Sequence, residues 1–144
     1  MLVSQIMKSK SDDGVVTAPP GMLISEAAAM LSDKRIGTLV ISKDGRTALG
    51  ILSERDIVRE LGRQGAGCLS QSVDKLMTTK LVTCNRDDRA DVILEKMTEG
   101  RFRHMPVVEG GELVGLISLG DVVKARLTEL AMEKNALEGM IMGH

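Results

Sequence analysis

Gly50-Ile51-Leu52-Ser53-Glu54-Arg55-Asp56 returns as Gly115-Leu116-Ile117-Ser118-Leu119-Gly120-Asp121. Each copy reads Gly, two aliphatics, Ser, two variable residues, Asp. Each leads into an apolar-periodic stretch, Ile57, Val58 and Leu61 after the first, Val122, Val123 and Leu127 after the second. Asp121 follows Asp56, and Gly115 follows Gly50, by the same 65 positions. A fixed period of that size marks a chain built from repeated structural units.

Upstream of each phrase the order of elements also repeats. Val15-Val16-Thr17 reads as a short β-branched strand, stopped by Pro19-Pro20-Gly21. Ile24, Ala27, Ala28 and Leu31 fall at helical spacing, and Gly37 is expected to relieve the backbone where that helix ends. Thr38 to Ser42 suits a buried strand, Lys43-Asp44-Gly45-Arg46 a turn, and Leu49 to Leu52 the return strand. A helix then runs from Glu54 to about Leu61, ended by Gly62, Gly65 and Gly67. The second half predicts a strand over Leu81 to Cys84, a helix over Asp91 to Glu99, a strand over Met105 to Val108, a turn at Glu109-Gly110-Gly111-Glu112 and a strand over Leu113 to Ile117. Thr17 matches Thr83, and Ile36 matches Phe102. Val3-Ser4-Gln5-Ile6-Met7, one or two helical turns, recurs as Val73-Asp74-Lys75-Leu76-Met77, and Lys8 to Gly14 reads as a loop.

The expected fold is therefore α+β: two βαββα repeats packed sheet to sheet with pseudo-twofold symmetry, plus an extended C-terminal helix. A small sheet covered on one face needs a second unit to bury the other. The boundaries read as 1–66 for the first repeat, 67–128 for the second and 129–144 for the helical extension. In that extension Val123, Leu127, Leu130, Leu137 and Ile141 follow a 4-3-7-4 spacing with Lys134 at the skipped position. This fits either packing on its own domain or a short seam with a second copy.

Composition narrows the function. Of 144 residues 43% are hydrophobic and 27% charged, the net charge is −1, and the only aromatic residue is Phe102. A near-neutral chain without stacking aromatics is a poor nucleic-acid binder. No apolar run reaches a membrane span, and no secretory signal pattern opens the sequence. Cys68 and Cys84 form neither a metal pattern nor a disulfide framework, which predicts a reducing, cytoplasmic setting. His104 has no partner at ligand spacing and His144 is terminal, so no metal is expected. No Walker loop, nucleophile elbow or Cys–His pair appears, so the chain is not expected to be an enzyme.

The repeated Ser-x-x-Asp supports two readings. It resembles a capping box, although Asp is short for the position usually held by Glu or Gln. It also places a carboxylate one turn into a helix whose free N–H groups attract phosphate, where acidic residues can accept both hydroxyls of a ribose. The two are compatible, because the cap presents the site.

These phrases, with Arg103-His104-Met105-Pro106-Val107-Val108 before the second, resemble tandem CBS domains, the paired module named after cystathionine β-synthase. The likeness covers residues 1 to about 130. It implies clefts between the repeats that bind adenosine-containing ligands: AMP, ADP, ATP, NADH or S-adenosylmethionine. It further implies Asp121 and Ser118 on one ribose, with Arg103 and His104 on its phosphates and Thr17 and Ile36 enclosing the base. Asp56 and Ser53 then anchor a second site with Arg55, Thr83 and Phe102. Since repeat 1 has Gly37-Thr38 where repeat 2 has Arg103-His104, the Asp121 site is expected to favour phosphorylated ligands. The implied function is a stand-alone regulatory module, a homodimer that signals to an unknown target protein through a bound adenine nucleotide or other adenosyl ligand. The alternative is a structural dimerisation module with a vestigial site.

Overall fold

The computed structural model describes residues 1–10 and 14–141. The middle of the expected loop at Lys8–Gly14, the end of the expected C-terminal extension and His144 lie outside these. The elements run α1 (Val3–Ser9), β1 (Thr17–Ala18), α2 (Ile24–Lys34), β2 (Thr38–Ile41), β3 (Gly50–Ser53), α3 (Glu54–Gln64), two 3-10 turns (Ala66–Ser70 and Val73–Lys75), α4 (Ala90–Gly100), β4 (His104–Glu109), β5 (Glu112–Ser118) and α5 (Leu119–Ile141). The fold is mixed α+β with two repeats and a long C-terminal helix, as the repeated phrase predicts.

The two sheets differ. In the first, β1 pairs parallel with β2, which pairs antiparallel with β3. In the second only β4 and β5 form a ladder, and the strand expected over Leu81 to Cys84 shrinks to a single parallel bridge between Cys84 and Val107. The cause is one residue. In repeat 1 the Val40 N–H donates to the Val16 carbonyl at 3.1 Å. The matching residue in repeat 2 is Pro106, which has no N–H to offer Val82, so pairing stops at Cys84.

Each repeat keeps its own aliphatic core, but the leading segments are exchanged. Val3 and Ile6 of α1 bury with Ile93, Met97, Met105, Ile117 and Val122 of the second repeat. Val73 and Leu76 bury with Ile24, Leu31, Leu39, Leu52 and Ile57 of the first. A methionine from each lies against the strand glycine of the repeated phrase: Met77 over Gly50, and Met7 over Gly115. That contact needs glycine, because a Cβ at Gly50 would lie 2.6 Å from the Met77 sulfur.

Helix α2 ends otherwise than expected. Arg35, not Gly37, takes the left-handed conformation (φ 53°), and Arg101 does the same after α4 (φ 56°). Gly37 has no positive φ, and a Cβ there would make only ordinary contact with the Glu54 carboxylate at 3.5 Å. Helix α3 passes through Gly62 and stops at Gly65, whose φ of 77° favours glycine.

Candidate functional site

Both repeated phrases cap their helices, and the short Asp side chain does reach back. The Ser53 N–H donates to Asp56 Oδ2 at 2.9 Å while the Asp56 N–H donates to Ser53 Oγ at 3.2 Å. Ser118 and Asp121 repeat the pair at 2.8 and 3.1 Å. Ser53 has the extended backbone of an N-cap (ψ 161°). Each Asp keeps further acceptor capacity beyond its cap. Asp56 Oδ1 takes Arg59 Nη2 at 3.0 Å, and Asp121 Oδ2 takes Lys10 Nζ at 2.9 Å.

Around Asp56 a cleft of about 800 Å³ opens between the repeats. Its floor is Ile51 and Ser53 with the first turn of α3, Glu54 to Asp56 and Arg59. The linker residues Thr78, Lys80, Leu81 and Val82 form one wall, and Gly100 to His104 of repeat 2 form the other, with Gly37 between. Val82 is 43% exposed, as the lost pairing at Pro106 leaves it. Arg55 and Arg59 of α3, Lys80 of the linker and Arg101 and Arg103 of repeat 2 line this space with Glu54 and Asp56, an excess of positive charge contributed by both repeats. The positive end of the α3 dipole adds to the attraction for an anion, with the Glu54 and Asp56 N–H groups already held by the Gly37 carbonyl and Ser53 Oγ. Phe102 lies over Gly100, where a Cβ would overlap its ring.

The structure thus brings Asp56, Ser53, Arg55 and Phe102 together, as the resemblance implies for that site. Arg103 and His104, expected beside Asp121, line this same Asp56 cleft. Gly37 and Arg103, themselves equivalent positions of the two repeats, line it together. Thr38 and His104, equivalent positions 66 residues apart, share a hydrogen bond at 3.1 Å, as residues on a pseudo-twofold axis do. Thr83 is exposed outside the cleft, and Val82 and Leu81 form its aliphatic wall instead. Ile36 lines a separate hollow of about 490 Å³ with Ala28, Leu31, Arg35 and Val58. Thr17, Ser118 and Asp121 line neither space.

Sequence reasoning passed over Arg59, Lys80, Arg101 and Lys10. Arg59 was within reach of helical spacing, since it lies one turn after Asp56 on α3. The two lysines follow from the recurring segment, because the register matching Met7 to Met77 also matches Lys10 to Lys80.

Electrostatics separate the two phrases further. Burial would push the Asp121 carboxyl up, but the Ser118 N–H and the Lys10 ammonium outweigh it and hold the pKa below the ordinary value. His104 is pushed down, by burial first and then by Lys10, with the negative charge of Asp121 opposing. Cys84 is pushed up to about 12 by burial and by Asp88, which makes it a packing thiol at neutral pH. No group of three His, Cys, Asp or Glu side chains among the described residues could hold a metal ion. No helix among them is long and apolar enough to cross a membrane.

Comparison with known proteins agrees with this fold. A family model described as the CBS domain matches residues 3–63 and again 73–128. A mitochondrial CBS domain-containing protein of Arabidopsis thaliana is 31% identical, over 98% of this chain and 72% of its own length. The crystal structure of a CBS-domain containing protein from Agrobacterium tumefaciens is 45% identical and superposes with a TM-score of 0.82, covering 88% of this chain and 99% of that one. A CBS domain protein from Pyrobaculum aerophilum, solved in complex with AMP, is 28% identical with a TM-score of 0.77, over 92% of this chain and 99% of that one. The chain belongs to the CBS-domain family, and it carries the domain as a pair.

Proposed function

We propose that this chain is a regulatory module that binds a phosphorylated adenosyl ligand in the Asp56 cleft. The observation that carries the reading is the cleft itself: a capping carboxylate at a helix N-terminus, faced by arginines of both repeats. Asp56 accepts the ribose hydroxyls, Leu81, Val82 and Phe102 enclose the base, and Arg55, Arg101 and Arg103 hold the phosphates. Arg59 gives up its bond to Asp56 or shares it with the diol. The AMP complex of the Pyrobaculum relative supports the ligand class. The charge balance favours AMP, ADP or ATP over S-adenosylmethionine, whose sulfonium meets the same arginines unfavourably. Because the phosphates touch both repeats, ligand binding favours one relative orientation of the pair, which is how occupancy reaches a partner protein.

The module acts as a homodimer in this reading. Helix α5 leaves its own core after Ala125, and Leu127, Leu130, Leu137 and Ile141 stand 63%, 48%, 59% and 83% exposed along it. Both cysteines are free and buried, which fits a cytoplasmic setting. The Arg59–Asp56 pair favours one second reading, a structural dimerisation module whose carboxylate is already satisfied.

The experiment exploits the missing Trp and Tyr. The purified chain absorbs little at 280 nm, so a carried-over nucleotide dominates its near-ultraviolet spectrum. Thermal melts with AMP, ATP and S-adenosylmethionine then rank the ligands, since saturation at about 100 times Kd adds about 2.7 kcal/mol. AMP or ATP is expected to raise Tm, and Asp56→Ala to remove the rise. A chain that no adenosyl compound stabilises is a scaffold only.

A further inference from the structure

The two carboxylates of the repeated phrase meet equivalent lysines in different ways. Lys80 lines the Asp56 cleft, is exposed, and makes no ion pair among the described residues. Lys10, its counterpart, donates from Nζ to the Leu116 carbonyl at 2.8 Å and pairs with Asp121 Oδ2 at 2.9 Å. The matching carbonyl in repeat 1, Ile51, accepts a backbone N–H from Thr78 at 2.8 Å. One side of the axis is thus closed by main chain, its carboxylate bonded beyond the cap to the exposed Arg59 of its own helix, and the other by a half-buried ammonium from a distant segment seated on the carboxylate.

Lys10 is delivered there by a fixed segment. Val3 and Ile6 of α1 are buried in the second core, and the Val3 and Ser4 N–H groups donate to the carbonyls of Asp88 and Arg86, each at 2.9 Å. The chain's terminal ammonium lies 2.7 Å from Glu129 on α5. The ammonium of Lys10 presents N–H donors to a carboxylate oxygen and a neighbouring carbonyl, the arrangement a vicinal diol would offer with its O–H groups.

We propose that Lys10 is a built-in occupant of the second site: it takes the Asp121 carboxylate that a ribose would use, so the resting chain offers one nucleotide site and not two. This rests on the reading that these carboxylates hold ribose. Because the ammonium is tethered, a free ligand competes with an effective concentration on the order of millimolar. The lowered pKa of Asp121 accords with this, since the carboxylate stays charged and paired at neutral pH.

Isothermal titration with AMP counts the sites on the full chain. Wild type is expected to bind one AMP per chain, Lys10→Met two, and Lys10→Met combined with Asp121→Asn one again. Lys10→Ala replaces Lys10→Met if the latter melts below wild type. A wild type with two sites, a Lys10 variant with an unchanged count, or a gained site that survives Asp121→Asn overturns the proposal. The two readings separate cleanly: a wild type that binds no AMP ends the Asp56 assignment, while an Asp121-dependent site appearing in the Lys10 variant still upholds the role of Lys10.

Discussion

Repeat 1 and repeat 2 use the same phrase to build the same cap, yet the two capping carboxylates keep different company. Asp56 lines a cleft of about 800 Å³ together with arginines from both repeats. Asp121 is bonded to a lysine from the exchanged N-terminal segment. The difference lies in what approaches the motif. A pseudo-symmetric pair can therefore hold two identical local structures with unequal availability, because availability is set by neighbours distant in sequence.

The glycine of the phrase provides the severest test of that asymmetry. At Gly50 a Cβ would meet Met77 at 2.6 Å and the Thr78 carbonyl at 3.1 Å, and the backbone atom cannot yield. At Gly115 the neighbour is the flexible end of Met7. Gly50→Val is expected to destabilise the chain by about 3 kcal/mol and Gly115→Val by about 1 kcal/mol in urea unfolding. Equal losses would mean that the linker wall is as adaptable as α1.

Proline comes next. Val40→Pro imposes on repeat 1 what Pro106 does in repeat 2, leaving the Val16 carbonyl without its donor, at a cost of about 2 kcal/mol. Pro106→Val supplies the missing N–H and is expected to extend pairing to Val82, seen as new hydrogen-exchange protection at residue 106. An unprotected amide there would show that something other than the proline ends the strand.

Ser53→Ala loses the bond from the Asp56 N–H and the hydroxyl's own bond to Asp56 Oδ2, Ser118→Ala the bond from the Asp121 N–H, and each is expected to cost about 1 kcal/mol by thermal melt. The two should agree, because the caps are alike where the clefts are not.

The smallest effect is a pH dependence belonging to repeat 2 alone, since Thr38 stands where His104 would be in repeat 1. The His104 pKa is depressed in the folded chain from its ordinary 6.5, by burial first and then by Lys10. The unfolded chain then binds the proton more readily. The contribution is complete above about pH 6.5 and is lost as pH falls through the lower folded value. Urea midpoints at pH 7.5 and 5.5 should differ less in His104→Gln than in wild type, and an unaltered difference would move the titration to another group.

Much of this was legible in one dimension. The duplicated phrase, the strand and helix periods and the exchangeable Val-x-x-[Ile/Leu]-Met segments are local patterns, and local patterns dictate elements because backbone geometry and burial act over a few residues. The site was legible in part. Ser53, Asp56, Arg55 and Phe102 meet around one cleft, while Arg103 and His104 join that cleft and not the one beside Asp121. Their placement depends on how the two repeats meet, with Thr38 bonded to His104, and no local pattern announces that contact.

The one-dimensional pattern is enough for the kind and order of the units, for their pairing, and for a capped helix bearing a carboxylate at the end of each. The crossing of α1 to the other repeat's core, the company each carboxylate keeps and the parting of Lys10 from Lys80 emerge only when the chain is folded. The physical reason is that capping and amphipathic burial are settled within a turn or two of chain. The charge and space around a site come instead from segments tens of residues apart, brought together when the two cores close.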